Sequence, residues 1–356
     1  MTVKTLDFLL HKLYVKKELS REELVFVLKN IDETSKEKLF AYACKTRDKY
    51  YGNKVFMRGL IEFSNICKRD CLYCGIRSSN KKASRYRLTK EEILTCCAEG
   101  YRLGYRTFVL QSGEDPWYTV DRMVAIIKAI KDKFPEVAVT LSIGEREKEE
   151  YEAFFDAGAE RFLLRHETAS RELFEKLHPT TTFDNRMECL KVLKRIGYQV
   201  GAGFMVGLPG QTEEDLVEDL LFLKEFKPHM IGIGPFIPHS ETPLAKAKGG
   251  TLEDTLVMIA LTRLLVPDSL LPATTAMGTI HPKGRELALK AGANVVMPNL
   301  SPASVRPKYE LYENKICLED EAAHCRYCIE KRISSVGMEL DISRGDHWKY
   351  NKAQVL

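Results

Sequence analysis

The sequence predicts an α/β fold: a (β/α)8 barrel of the TIM type with an N-terminal helical extension and an irregular C-terminal extension. Three observations predict it. After Gly52, short apolar runs alternate with longer amphipathic stretches. The apolar runs number eight. The length, 356 residues, accommodates one barrel of about 250 residues with extensions at both ends. Strand–helix alternation covers a parallel sheet with helices, and eight repeats close it. A doubly wound open sheet is the alternative.

Residues 1–52 read as the helical extension. DFLLHKLY and REELVFVLKNID carry apolar residues at helical spacing, and SREE offers a capped start. The barrel is expected over 53–300. Its strands are VFMRGLIEF (55–63), RTFVLQSG (106–113), VAVTLSIG (137–144), RFLLRHET (161–168), VGAGFMVG (200–207), MIGIGPFI (230–237), PATTAMGT (272–279) and ANVVMPN (293–299). Helical patterns lie between them at 89–104, 120–134, 149–158, 185–197, 213–226, 253–265 and 284–292. From about Ser301 the rhythm is lost, and 301–356 reads as the C-terminal extension.

Composition narrows the function. Lys and Arg total 54 against 50 Asp and Glu, a net charge of +4 without any basic block, so no nucleic-acid partner is expected. No apolar run approaches the length of a membrane span. The N-terminus lacks the apolar core and small-residue cleavage site of a signal peptide, so the expected location is cytoplasmic. Ten cysteines in that compartment favour metal binding or catalysis over disulfides.

Three of them, Cys67, Cys71 and Cys74, stand in SNICKRDCLYCGIR with spacing C-x3-C-x2-C, just after the first strand. In a barrel that is the C-terminal rim, where active sites lie. A structural zinc site wants four ligands, usually from two knuckles, and no second knuckle is near. Three thiolates on a [4Fe–4S] cluster would leave one iron open. A zinc site completed from elsewhere is the alternative. Cys317, Cys325 and Cys328 form a second set, C-x7-C-x2-C, in the C-terminal extension. It suggests an auxiliary metal or iron–sulfur site; His324, adjacent to Cys325, would chelate with strain. Cys44, Cys96, Cys97 and Cys189 fall in helical patterns as small apolar residues.

The other expected strand ends add polar groups to the same rim. Gln111-Ser112-Gly113-Glu114-Asp115-Pro116 makes a turn suited to an ammonium group. Alternation puts Arg165 and Glu167 on one face and His166 on the other. Arg165 could bind a carboxylate, whereas His166 reads as a packed residue rather than a base. Arg186 opens a helical pattern near the rim, with a surface salt bridge as its ordinary alternative. The glycines of GAGFMVGLPGQT permit close backbone approach, and Thr274 and Thr275 can coordinate an anion or simply favour a strand. Met230 and Met297 are core residues by default.

The C-x3-C-x2-C motif, with Tyr73 before its last cysteine, resembles that of the radical S-adenosylmethionine (SAM) enzymes. The runs RGLIEFSNICKRDCLYCGIR, LQSGEDP, LLRHETA, MVGLPGQT, IGIGPFIPH, ATTAMGT and VVMPN resemble the biotin synthase-like group and within it the HydE-type [FeFe]-hydrogenase maturases, a resemblance that extends from about residue 10 to 345. Gly113 to Pro116 stands where the family has a GGEP-type motif.

The resemblance implies that Cys67, Cys71 and Cys74 hold a [4Fe–4S] cluster whose open iron chelates SAM. It implies SAM binding by Tyr73, Gln111, Gly113, Glu114, Asp115, Pro116, Glu167 and Arg186. Ser142, Arg165, Met230, Thr274, Thr275, Met297 and Tyr309 would line the cavity near SAM and substrate. Cys317, Cys325 and Cys328 would hold an auxiliary [2Fe–2S] or [4Fe–4S] cluster that is dispensable in the family. The implied activity is reductive cleavage of SAM to a 5′-deoxyadenosyl radical. That radical would act on a sulfur-containing, cysteine-derived iron complex during assembly of the H-cluster's diiron part. The implied partners are that small organometallic substrate, an electron donor, and the maturases HydG and HydF. A methylornithine synthase-like mutase and a non-enzymatic Fe–S carrier are the competing readings, but a carrier has no use for Glu167, Arg186 or the acidic turn.

Overall fold

The computed structural model describes residues 2–318 and 322–353, and the side chains of 5–318, 322 and 326–350. Three helices come first: α1 (Thr2–Lys16), α2 (Arg21–Asn30) and α3 (Glu33–Tyr51). The start of α2 is a capping box. Ser20 Oγ accepts the Glu23 amide at 3.2 Å, and the Glu23 carboxylate accepts the Ser20 amide at 2.8 Å, satisfying two amides that a helix start otherwise orphans.

The chain then alternates. β1 (Lys54–Met57) and β2 (Gly59–Ser64) are followed by α4 (Lys90–Arg102), β3 (Thr107–Ser112), α5 (Val120–Lys133), β4 (Ala138–Ser142) and α6 (Lys148–Asp156). Next come β5 (Ala159–Leu163), α7 (Arg171–Leu177), α8 (Phe183–Ile196), β6 (Gln199–Val206), α9 (Glu213–Phe226), β7 (Met230–Pro235) and α10 (Leu252–Leu265). The remainder is α11 (Thr275–Ile280), α12 (Gly284–Lys290), β8 (Val295–Val296), α13 (Ala322–Ser334), β9 (Glu339–Asp341) and α14 (Trp348–Ala353).

β2 to β7 form one parallel sheet in sequence order. Bridges carry the ring onward, from Met230 to Leu270, Pro272 to Val295 and Leu60 to Asn299, while β1 pairs with β8. The architecture is thus the expected TIM-type α/β fold. Helix α10 is buried on every side, packed between the sheet and α3, which explains its continuous apolar sequence. Phe162, fully buried, meets the edges of Tyr151 and Tyr198 at 5.0 and 5.8 Å; removing its ring would cost about 3–5 kcal/mol.

Two strand expectations need correction. The run 55–63 is two strands, divided at buried Arg58, whose side chain reaches Gly345 O at the barrel floor. The expected seventh strand, 272–279, is mostly helix. Only Leu270 and Pro272 bridge to neighbours, and α11 starts after Thr274, which has the extended backbone of a cap residue. Pro272 has no amide to donate to a ladder.

The C-terminal segment seals the N-terminal end of the sheet. Asp346 accepts from Arg161 Nη2 at 2.6 Å and from Gln199 Nε2 at 2.8 Å, while Arg161 Nη1 reaches Thr107 Oγ1 at 3.0 Å. With the floor closed, the strands' C-terminal ends are left as the open rim.

Candidate active site

The cysteine loop leaves β2 at Ser64 and is tied to its neighbours by backbone. Cys67 Sγ accepts the amides of Arg69 and Glu114, both at 3.4 Å, and the Lys68 amide reaches Glu114 O at 2.9 Å. Gly113 permits this approach: a Cβ there would lie 2.4 Å from Ile66 O and 2.7 Å from the Cys67 Cβ. Leu72 and Gly75 donate to Leu177 O and Leu311 O, and Tyr73 Oη meets His178 Nε2 at 2.8 Å. Burial raises all three thiols, with Cys71 pushed up to about 12.

The three cysteines open onto a cavity of about 360 Å³. Tyr73, Gln111, Gly113, Glu114, Ser142, Arg165, Glu167, Arg186, Thr274, Thr275, Met297 and Tyr309 also line it, so most residues singled out in the sequence converge here. Three do not. The Asp115 carboxylate takes Arg87 Nε and Nη2 at 2.7 and 2.9 Å and Ser64 Oγ at 2.7 Å. It braces the turn and, like Pro116, is not part of the cavity wall. Met230 begins β7 at the floor, where its Sδ accepts from Arg58.

Just past β5, Arg165 and Glu167 face the cavity, as expected, whereas His166 is fully buried on the outer side against Asp219 of α9. Glu167 sits at φ +67°, the left-handed region that an L residue adopts at a cost. Its Oε2 pairs with Arg165 Nη2 at 3.1 Å, whereas Arg165 Nε and Thr274 Oγ1 are buried without hydrogen-bond partners. Such groups cost free energy unless a ligand satisfies them.

A buried charge chain supports the rim. Arg69 Nε meets Glu114 Oε2 at 2.6 Å and Arg69 Nη2 meets Glu145 Oε2 at 2.7 Å. Glu145 Oε1 takes Arg186 Nε at 2.7 Å, and Arg186 Nη1 donates to Arg165 O at 2.6 Å. Burial opposes ionisation of Glu145, but the Arg186 and Arg69 guanidiniums and the Thr181 hydroxyl hold its carboxyl below the usual range. Arg69 and Glu145 were not singled out in the sequence. Their placement, inside the cysteine loop and just beyond β4, was the available signal. Nor was the Glu62–Lys315 pair, 2.5 Å apart in the cavity wall, with Asn299 Nδ2 2.8 Å from Glu62 Oε2.

Cys317 and Cys328 border a smaller space of about 30 Å³ that shares Glu62, Thr275, Arg285, Met297 and Lys315 with the main cavity. Arg285 Nη2 lies 3.7 Å from Cys317 Sγ and 3.4 Å from Thr275 Oγ1. Cys325 and His324 stand on α13, but their side chains lie outside the described residues. Among the described residues no three His, Cys, Asp or Glu side chains converge on one metal-ion position. Cys96, Cys97 and Cys189 are buried as expected of small apolar residues; Cys44 is half-buried.

Comparison with known proteins places this geometry. The sequence pattern of the radical SAM superfamily matches residues 61–223, which include all three cysteines. The chain is 53% identical over 322 residues to the [FeFe] hydrogenase maturase subunit HydE of Thermotoga maritima, covering 90% of this chain and 92% of that one. It belongs to the radical SAM superfamily. It is also 31% identical to a 3-methylornithine synthase of Methanosarcina acetivorans, with 95% of each chain covered. The crystal structure of methylornithine synthase (PylB) superposes with a TM-score of 0.82 at 28% identity, covering 97% of this chain and 99% of that one.

As a radical SAM enzyme, the chain requires a [4Fe–4S] cluster and SAM. The residues present fit both. Three thiols on one rim loop can ligate three irons, and the unpartnered Arg165 Nε and Thr274 Oγ1, beside the Arg165–Glu167 ion pair, give a polar ligand its hydrogen bonds.

Proposed function

We propose that this chain is a HydE-type hydrogenase maturase that reductively cleaves SAM and acts on a sulfur-containing, cysteine-derived iron precursor of the H-cluster's diiron subcluster. The observation that carries this reading is the 53% identity to the Thermotoga maritima [FeFe] hydrogenase maturase subunit HydE across nearly the whole of both chains. When bound, the cluster and SAM together supply a 5′-deoxyadenosyl radical.

The chain's own residues position and exclude. Cys67, Cys71 and Cys74 would hold the cluster at the mouth of the cavity. Gly113, Glu114, Glu167 and Arg186, with Tyr73 and Gln111 beside them, would set the orientation of SAM. Asp115 and Pro116 would act through the turn they brace. Ser142, Arg165, Thr274, Thr275, Met297 and Tyr309 would surround an anionic complex in the interior. Arg165, whose Nη2 meets Glu167 Oε2 at 3.1 Å, offers its unpartnered Nε to such an anion, and the closed floor shields the radical's path from water. Holding the target beside SAM decides which bond reacts.

Cys317, Cys325 and Cys328 would hold an auxiliary [2Fe–2S] or [4Fe–4S] cluster. An electron donor, HydG and HydF would be the partners, in the cytoplasm; among the described residues no helix is long and apolar enough to cross a membrane.

The test is anaerobic turnover of the reconstituted protein with SAM, dithionite and a cysteine-bound iron complex carrying CO and cyanide. The expected product, read by mass spectrometry, carries the adenosyl carbon on the former cysteine sulfur. SAM cleavage that ignores this complex but rearranges an amino-acid carbon skeleton would move the chain to the mutase reading that the PylB superposition favours.

A further inference from the structure

The outer side of the rim holds a second layer behind Glu167. Leu163 pairs with Gly201, but Glu167 pairs with Phe204, so the ladder slips by one residue and bulges at 164–166. The slip takes a strand carbonyl away from the Gly203 amide, and His166 Nδ1 accepts it instead at 3.2 Å. The Arg165 carbonyl is likewise diverted, to Arg186 Nη1.

Because Nδ1 accepts, the ring proton lies on Nε2, which donates to Asp219 Oδ1 at 3.1 Å. The same oxygen accepts the Ala169 amide at 2.6 Å, two residues beyond Glu167. His166 and Asp219 are both fully buried, with Phe222 against the imidazole at 4.7 Å. The pair therefore grips the turn on both sides of Glu167. Glu167 itself is held at φ +67° by its amide on Gly203 O (3.0 Å) and its carbonyl under the Met205 amide (3.1 Å). A left-handed L residue costs roughly 1–3 kcal/mol and persists only where its surroundings over-determine it.

We infer that the His166–Asp219 pair is a positioning device, locking the bulged turn so that Glu167 presents its carboxylate to SAM. The inference rests on the reading of Glu167 as a SAM contact. His166 does not itself line the cavity; it acts through the turn.

The experiment is SAM affinity by equilibrium dialysis on cluster-reconstituted protein, with turnover at saturating SAM measured alongside. His166→Leu keeps the volume and removes both hydrogen bonds. It is expected to weaken SAM binding about tenfold, the worth of a charge-assisted contact, with iron content and saturated turnover within about twofold. His166→Asn keeps an acceptor for Gly203 and loses only Asp219, so it should fold even if the leucine variant does not, and lose about threefold. In a Glu167→Gln background, His166→Leu should cost no more than about a further twofold, because the effect it transmits is already gone. Unchanged affinity in His166→Asn, or a leucine effect that adds in full to Glu167→Gln, would overturn the inference. Unchanged affinity in Glu167→Gln alone would overturn the assignment of Glu167 to SAM, a distinct failure seen in that single variant.

Discussion

Arg69 Nη2 lies 2.7 Å from Glu145 Oε2, joining the loop of the three cysteines to the segment after β4. With Glu114 and Arg186 on either side, the pair makes one chain of charge behind the rim. It fixes the cysteine loop against the acidic turn and α8, so the residues proposed to hold the cluster and SAM share one frame.

Removing the middle of that chain should therefore do more than remove one contact. Arg69→Met leaves two buried carboxylates facing each other, and is expected to cost about 3 kcal/mol in chemical denaturation. Arg69→Lys should recover little, because one ammonium cannot span both carboxylates as the guanidinium fork does. Equal stability of wild type and Arg69→Met would show that the chain is not a structural frame.

Of the second cysteine set, Cys317 and Cys328 border a side space rather than the cavity onto which Cys67, Cys71 and Cys74 open. Cys325→Ser is expected to leave 5′-deoxyadenosine formation within about twofold of wild type while lowering iron content. A folded variant that retains the rim cluster yet loses SAM cleavage would make the second site part of catalysis.

At the floor, Arg161 and Asp346 are a buried pair 2.6 Å apart. Asp346→Ala leaves the arginine charge uncompensated and should cost about 3–5 kcal/mol, read from the denaturation midpoint. Arg161→Met combined with Asp346→Leu should cost distinctly less. A double variant as unstable as Asp346→Ala would mean that packing, not the lone charge, is responsible.

Acid should weaken the fold before the carboxylates titrate. Burial, aided by the charges of His347, Lys194 and Lys349, holds His229 at about 4, and its Nδ1 accepts the Val200 amide at 3.0 Å. The unfolded histidine titrates near 6.5, so between about 6.5 and 4 the unfolded chain binds a proton that the folded chain refuses. Stability therefore falls as pH drops through that window, by roughly 2–3 kcal/mol for this group. His229→Gln should flatten the limb in denaturation midpoints measured from pH 7 to 4. An unchanged slope would show that the histidine is not its source.

Much of the frame was legible because its causes are local. The capping box at Ser20 and the amphipathic runs of α4, α5 and α9 depend on residues a few positions apart, so their boundaries could be read closely. The cysteine spacing is local too. PATTAMGT misled because threonines suit a strand and a helix cap equally well, and only the tertiary course past Pro272 decides. Alternation put His166 behind Glu167, but its partner Asp219 lies 53 residues on, and no periodicity points to it. Arg69 and Glu145 likewise take their meaning from partners distant in the chain, each in a different loop of the rim.

The most direct measurement is 5′-deoxyadenosine formation by the anaerobically reconstituted chain with dithionite and SAM, beside Cys71→Ser. Product from wild type, absent in the variant, is the predicted result, since losing one of three thiolates loses the cluster. A wild-type chain that carries an intact [4Fe–4S] cluster and forms no 5′-deoxyadenosine, or a Cys71→Ser chain that turns over normally, would contradict it.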